Sequence, residues 1–172
     1  MTVDMRAWVI RRYFGTNTSN MDRNALKGAV LRAAAARLEV TANELRARSE
    51  ELKAVTLGDE NAESASQPEH TRGGDLELMS SLGKQLEHVM QDAERLASVS
   101  PDELMDTVQF GAVVHTDQRD LLIGVSLEEF EALGRSYLGV TPKAPLVQAL
   151  LGLRKGEVAR VNGLDYAIQE LC

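Results

Sequence analysis

Two segments of the chain carry apolar residues at heptad spacing, and this pattern constrains the fold more than any other feature. In the first segment a leucine recurs every seven positions, and small residues fill the accompanying positions of the stripe. Residues 23–56 contain no proline and one glycine, so the pattern predicts a helix of about 50 Å that ends near Gly58. The stripe consists of Leu31, Leu38, Leu45 and Leu52 with Ala35, Ala42 and Ser49.

The second segment predicts a helix over residues 76–98, because its apolar residues alternate between spacings of three and four. Asp75 is placed to cap the first turn, since its carboxylate can accept hydrogen bonds from free backbone amides. Pro101 follows the end of the helix. The apolar positions are Met79, Leu82, Leu86, Val89, Ala93 and Leu96.

Neither stripe is wide enough to stabilise its helix alone, because helices in water depend on burying an apolar face. The short connection between the two segments favours antiparallel pairing. We therefore predict an antiparallel coiled-coil hairpin over residues 21–100, with its tip at residues 57–75. A fragment of an ordinary helical bundle is the alternative interpretation.

From residue 107 the pattern changes to short apolar runs separated by turn residues, which predicts strands at 108–115, 121–126, 157–161 and 164–171. Asn162-Gly163 predicts a tight hairpin, and residues 146–151 predict a short helix. The chain is therefore expected to be α+β, with a small antiparallel sheet covered by one helix over residues 107–172. Side chains expected to point inward from the last two strands are Val158, Val161, Tyr166 and Ile168.

Composition excludes several classes of protein. No apolar run approaches the roughly 20 residues of a membrane span, so no membrane association is expected. The single Cys172 excludes an internal disulfide and favours a reducing cytoplasm, and its terminal position predicts a frayed side chain. The net charge of −7 disfavours duplex binding. No catalytic constellation is visible, and His115, at a strand end, is interpreted as structural. We therefore expect a monomeric binding protein rather than an enzyme.

The charge is unevenly distributed along the chain. Residues 1–56 carry ten Lys/Arg against six Asp/Glu, and residues 57–75 carry five Asp/Glu against one Arg. Acidic side chains at the end of a helical rod could supply oxygen ligands to Mg²⁺, although a solvated acidic loop is the simpler alternative. The basic first segment could bind an acidic partner or simply be solvated. The tip carboxylates considered are Asp59, Glu60, Glu63 and Glu69.

The first twenty residues hold three of the seven aromatic residues and end in a polar, loop-like run. Their apolar core is too short for a signal peptide. We interpret residues 1–20 as a disordered or appended segment. The alternative is an amphipathic anchor built on Trp8, Ile10, Arg11 and Arg12.

Residues 144–158 of the C-terminal segment read APLVQALLGLRKGEV. They resemble the pattern S-P-[LI]-A-R-A-L-[LI]-G-K-x-x-G-D-x-V of the bacterial Gre transcript-cleavage factors. Residues 108–114, VQFGAVV, resemble its V-x-F-G-x-x-V strand, and YAIQEL near the end resembles its closing Y-E-I strand. A coiled coil before this domain is also the family arrangement, and the resemblance covers about residues 21–171.

This resemblance implies an FKBP-like C-terminal domain that docks on RNA polymerase while the coiled coil enters its secondary channel. Docking would involve Pro145, Leu146 and Gly152. The tip carboxylates would help hold the Mg²⁺ of the polymerase active centre while the polymerase hydrolyses backtracked RNA, so the nascent RNA 3′ end would be contacted only indirectly. No cofactor of its own is implied.

The resemblance leaves the active tip residues open. The family motif G-D-L-S-E-N-A-E is matched by the shorter GDENAE at residues 58–63, which identifies Asp59 and Glu60 as the candidate shared Mg²⁺ ligands. The stretch PEHTRG at residues 68–73 resembles Y-D-T-R of shorter relatives and offers Glu69 instead. Two rival hypotheses remain: a channel-binding inhibitor that does not support cleavage, and an unrelated interaction module with the coiled coil as its arm.

Overall fold

The computed structural model describes residues 20–59 and 69–172, with side chains described for residues 22–55 and 74–172. The expectation for residues 1–20 therefore lies almost wholly outside the described residues. The described elements are two long helices, a six-stranded mixed sheet and one short helix, which makes the fold α+β.

Both long helices are longer than predicted. Helix α1 (Asn20–Asp59) has 40 residues and is about 60 Å long, and helix α2 (Glu69–Ala97) has 29 residues and is about 44 Å long. The predicted end of α1 near Gly58 is confirmed to within one residue, since the helix ends at Asp59. The expected cap at Asp75 is wrong, because α2 begins at Glu69 and leaves Asp75 inside the helix.

The two helices pack against each other, and five of the thirteen predicted stripe positions are buried. Leu31, Leu38 and Ala42 of α1 are buried, as are Leu82 and Leu96 of α2. Their burial confirms that each helix uses one apolar stripe and not its whole circumference.

The buried stripe shifts by one residue at two predicted positions. Ala34 is buried where the heptad pattern predicts Ala35, and Asp92 is buried where it predicts Ala93. An α-helix has 3.6 residues per turn, so its inward face drifts relative to a strict seven-residue repeat. Asp92 meets Arg95 of the next turn, whose Nη1 lies 3.5 Å from its Oδ1.

The sheet contains two strands that the sequence pattern missed, and it is mixed where the pattern predicts antiparallel pairing throughout. The spatial order is β3-β4-β2-β1-β6-β5, and β2 and β4 run parallel while all other neighbours are antiparallel. The elements are β1 (Val113–Thr116), β2 (Asp120–Ile123), β3 (Leu127–Ala132), β4 (Arg135–Val140), α3 (Pro145–Leu150), β5 (Val158–Val161) and β6 (Leu164–Leu171).

The predicted strand at residues 108–115 begins only at Val113. Gly111 has a φ of +86°, and a Cβ there would lie 2.8 Å from a methyl group of Val99, so the chain turns at this point. Val108 is nevertheless held in place, because its N–H donates to Leu153 O at 2.8 Å and its carbonyl accepts from Gly152 N–H at 2.9 Å.

The sheet separates two apolar clusters. Val113 of β1 and Leu122 of β2 belong to the cluster that includes α1 and α2. Their neighbours Val114 and Leu121 belong to the cluster that includes α3. Since successive side chains of a strand point to opposite faces, the sheet lies between the long helices and α3.

The hairpin predicted at Asn162-Gly163 is confirmed, since it joins β5 to β6 with Val161 paired to Leu164. One expected inward residue is wrong. Val158 is 56% exposed, and Ala159 is the buried residue of β5. Ala159 and the half-buried Val161 share the inward face, and Val158 lies on the opposite face because successive side chains of a strand alternate.

Candidate functional site

The tip carboxylates fall at or between the ends of the two long helices. Asp59 is the last residue of α1 and Glu69 is the first residue of α2. Glu60 and Glu63 lie outside the described residues, as do the side chains of Asp59 and Glu69. The grouping of these four carboxylates around one metal stays a prediction.

The end of α1 is electrostatically unusual. Its last turn contains no basic residue and ends in an acidic one. The carboxyl end of a helix carries partial negative charge, so a cation there is favourable and a carboxylate is unfavourable, each by about 0.3–1 kcal/mol at an exposed site.

The three predicted docking residues lie at the ends of α3. Pro145 is its first residue and is exposed, and Leu146 is half-buried. Ala144 before the proline is extended, with ψ of 139°, because proline disfavours a helical conformation in the residue before it. Gly152 follows the helix with φ of +80°, which favours glycine. Together with the exposed Leu151, these residues form a partly apolar surface around α3.

Two cations of α1 are used inside the fold, contrary to the expectation that the basic segment is merely solvated or bound to a partner. Arg23 donates to the carbonyls of Leu171 and Met105. Lys27 is fully buried, and its Nζ donates to Glu103 O at 2.5 Å. Burial lowers the pKa of Lys27. These contacts fasten α1 to the segment before β1 and to the end of β6.

A cavity of about 260 Å³ lies beside this junction. Its wall includes both charge signs, with cationic Arg23 and Lys155 and acidic Asp106 and Glu170. Cys172 also lines it and is buried, so the expectation of a frayed end is wrong. Its backbone exchanges two hydrogen bonds with Val113, and burial raises the pKa of its thiol to about 11.

A buried polar cluster links three strands of the sheet. His115 Nδ1 of β1 lies 2.9 Å from Asp120 Oδ1 of β2, and Asp120 Oδ2 lies 2.9 Å from Arg135 Nε of β4. The ring of Tyr137 meets His115 edge-on, and burial raises the pKa of Tyr137 to about 12. This geometry fits a structural role for His115. In the sequence, the signal for this cluster is the pair of polar residues His115 and Asp120, which lie on either side of the turn between β1 and β2.

Within residues 20–59 and 69–172, no group of three or more His, Cys, Asp or Glu is arranged to hold a metal ion. None of the helices in these ranges is both long and apolar enough to cross a membrane. Comparisons with family models, curated proteins and solved structures found no match to this chain.

Proposed function

We propose that the chain is a Gre-like factor that binds RNA polymerase and places an acidic tip in its secondary channel. The supporting observation is a pair of long, mutually packed helices that join a small sheet domain, with acidic residues at the two helix ends that flank the tip. In this proposal the helices form an antiparallel coiled-coil hairpin and the sheet domain is FKBP-like.

The length of the helices suits an arm that reaches a buried active centre. Helix α1 is about 60 Å long, and its first half packs against the sheet domain from Arg23 to Leu38, so that residues 39–59, about 30 Å of helix, extend beyond these contacts. The far end is therefore held at a distance from the domain that docks. Attachment through buried contacts restricts the swing of the arm and lowers the entropic cost of insertion.

The chemistry would belong to the polymerase. The Mg²⁺ of the polymerase supplies charge stabilisation and an activated water. The part of this chain would be to present carboxylate oxygens at the end of α1, where the helix dipole already favours a cation. Asp59 and Glu60 are the first candidates, and Glu63 and Glu69 are the alternatives.

A second function of the same docking mode is inhibition without cleavage. The observation that favours it lies in the sequence, where Asp59 and Glu60 are adjacent while the Gre pattern separates its two carboxylates by two residues. Adjacent side chains point in different directions, which disfavours joint support of one metal.

A backtracked elongation complex tests the proposal. The protein is added with Mg²⁺ and the length of the RNA is measured. We expect shortened RNA with the unaltered protein and loss of shortening with Asp59→Ala/Glu60→Ala, while binding to core polymerase is retained. The matched control is Glu50→Ala/Glu51→Ala, which removes an adjacent, exposed acidic pair from α1 away from the tip.

The possible results separate the alternatives. Retained cleavage by the double tip variant would move the active carboxylate to Glu63 or Glu69, each then tested alone. Binding with slower elongation and no cleavage would support the inhibitor. Absence of binding to core polymerase would reject both, in favour of an unrelated interaction module.

A further inference from the structure

The turn between β3 and β4 carries a residue that its backbone conformation disfavours. Leu133 has a φ of 51° and Gly134 a φ of 72°, so both lie in the left-handed region. That region suits glycine and asparagine, whereas a leucine there brings its Cβ too close to the following carbonyl. The side chain of Leu133 is also 68% exposed, the largest value among the large hydrophobic residues described.

Another turn of the same molecule has the residues that this backbone conformation favours. The β5–β6 turn has Asn162 at φ of 51° and Gly163 at φ of 83°. The two turns thus share nearly the same backbone, but only the β3–β4 turn has an apolar residue in its first position. Turn geometry alone does not account for Leu133.

Packing does not account for Leu133 either. It belongs to neither apolar cluster of the described residues. A Cβ built on the adjacent Gly134 would meet no atom within 4 Å, so the turn projects into open space. Leucine at this position carries backbone strain and solvent exposure with no contribution to the cores, a combination typical of a residue that makes its contacts in a complex.

The surroundings of the turn indicate the chemistry of its partner. Strand β3 leads into the turn with exposed Glu128, Glu129 and Glu131. Glu128 is ion-paired with Arg37 and Glu129 accepts a hydrogen bond from Ser136, which leaves Glu131 as the carboxylate nearest the turn. Arg135, which follows the turn, is paired with Asp120. An apolar tip beside carboxylates complements a protein pocket that is apolar inside and lined by Lys or Arg at its rim. The same carboxylates disfavour nucleic acid and anionic lipid.

We propose that Leu133 anchors a second contact with RNA polymerase by inserting into an apolar pocket with a basic rim. This inference rests on the proposed function. The contact involves a different part of the chain from the surface at Pro145, because the turn precedes β4 while Pro145 lies five residues after the last residue of β4. Two contacts at different places on the domain would fix its orientation, which one contact leaves free to rotate.

The test measures the affinity of full-length variants for core polymerase together with their urea unfolding midpoints. We expect Leu133→Asn to weaken binding at least about tenfold, as burial of a leucine side chain implies, while its unfolding midpoint is unchanged or higher. The matched control is Asn162→Leu, which creates the same strain at the other turn. It should lower the midpoint and leave the affinity unchanged.

A third variant, Glu131→Gln, should reduce the salt dependence of association if the pocket has a basic rim. Equal affinity of Leu133→Asn and the unaltered protein would overturn the inference while leaving the proposed function standing. Failure of the unaltered protein to bind polymerase would overturn both. A loss of affinity in Asn162→Leu equal to that in Leu133→Asn would also overturn the inference, since it would attribute the effect to strain.

Discussion

Replacement of Lys27 tests how α1 is attached to the sheet domain. The ammonium group is fully buried and has one hydrogen bond, to the carbonyl of Glu103. Removing the charge loses a charged hydrogen bond worth about 1.5–3 kcal/mol, but it also removes a desolvation penalty of several kcal/mol per buried ion. The two effects oppose each other, and the lowered pKa of Lys27 indicates that the burial cost outweighs the attractions to the ammonium.

We therefore expect Lys27→Met, which keeps most of the side-chain volume, to lower the free energy of unfolding at pH 7 by less than about 1 kcal/mol or to raise it. Lys27→Ala also loses three buried methylenes at about 0.8 kcal/mol each, and so should be about 2.4 kcal/mol less stable than Lys27→Met. Urea denaturation followed by circular dichroism measures both values.

The pH dependence gives a second signature. Burial lowers the pKa of Lys27 below 10.5, so between the folded pKa and 10.5 the unfolded chain binds more protons than the native protein. The unaltered protein should therefore gain stability relative to Lys27→Met as pH rises through that window. Titration of Tyr137 occurs in both proteins and largely cancels in the difference. Cys172 and Lys27 shift each other's pKa, so both proteins are compared in a Cys172→Ser background.

Two results would refute this reasoning. If Lys27→Met is as destabilising as Lys27→Ala, the ammonium contributes net stability and the desolvation argument is wrong. If the difference between the unaltered protein and Lys27→Met is independent of pH up to 10.5, the pKa of Lys27 is not lowered in the folded state.

Two further predictions concern a glycine and the cysteine. Gly139→Ala should lower the free energy of unfolding by about 1–3 kcal/mol or more, because the new Cβ would lie 2.6 Å from Leu127 Cβ. Gly83→Ala should raise the free energy of unfolding by about 0.5–1 kcal/mol, because Gly83 lies on α2 with open space around it. Thermal unfolding measures both, and equal effects would contradict the packing at Gly139. Iodoacetamide should alkylate Cys172 at pH 8 more than about a hundredfold more slowly in the native protein than in urea, since burial raises the pKa of the thiol to about 11. Mass spectrometry measures the two alkylation rates, and similar rates would contradict the burial of Cys172.

The local sequence pattern was sufficient to predict the elements that a few neighbouring residues specify. The leucine heptads predict both long helices and several of their buried residues, since a helix repeats its environment every three or four positions. Asn162-Gly163 predicts the β5–β6 turn because few residue pairs adopt that backbone without strain. The turn at Leu133-Gly134 has similar dihedral angles but was missed, because leucine is not a turn residue.

Features that depend on residues far apart in the sequence were decided only by the tertiary structure. The acidic strand β3 is a strand because Leu127, Phe130 and Ala132 bury against the long helices, although its sequence LEEFEA has weak β propensity. The parallel pairing of β2 and β4 depends on the path of the chain around the sheet, not on either segment alone. Lys27 and Cys172 are buried because residues far along the chain cover them. Burial is a property of the assembled fold, so no local window of sequence contains it.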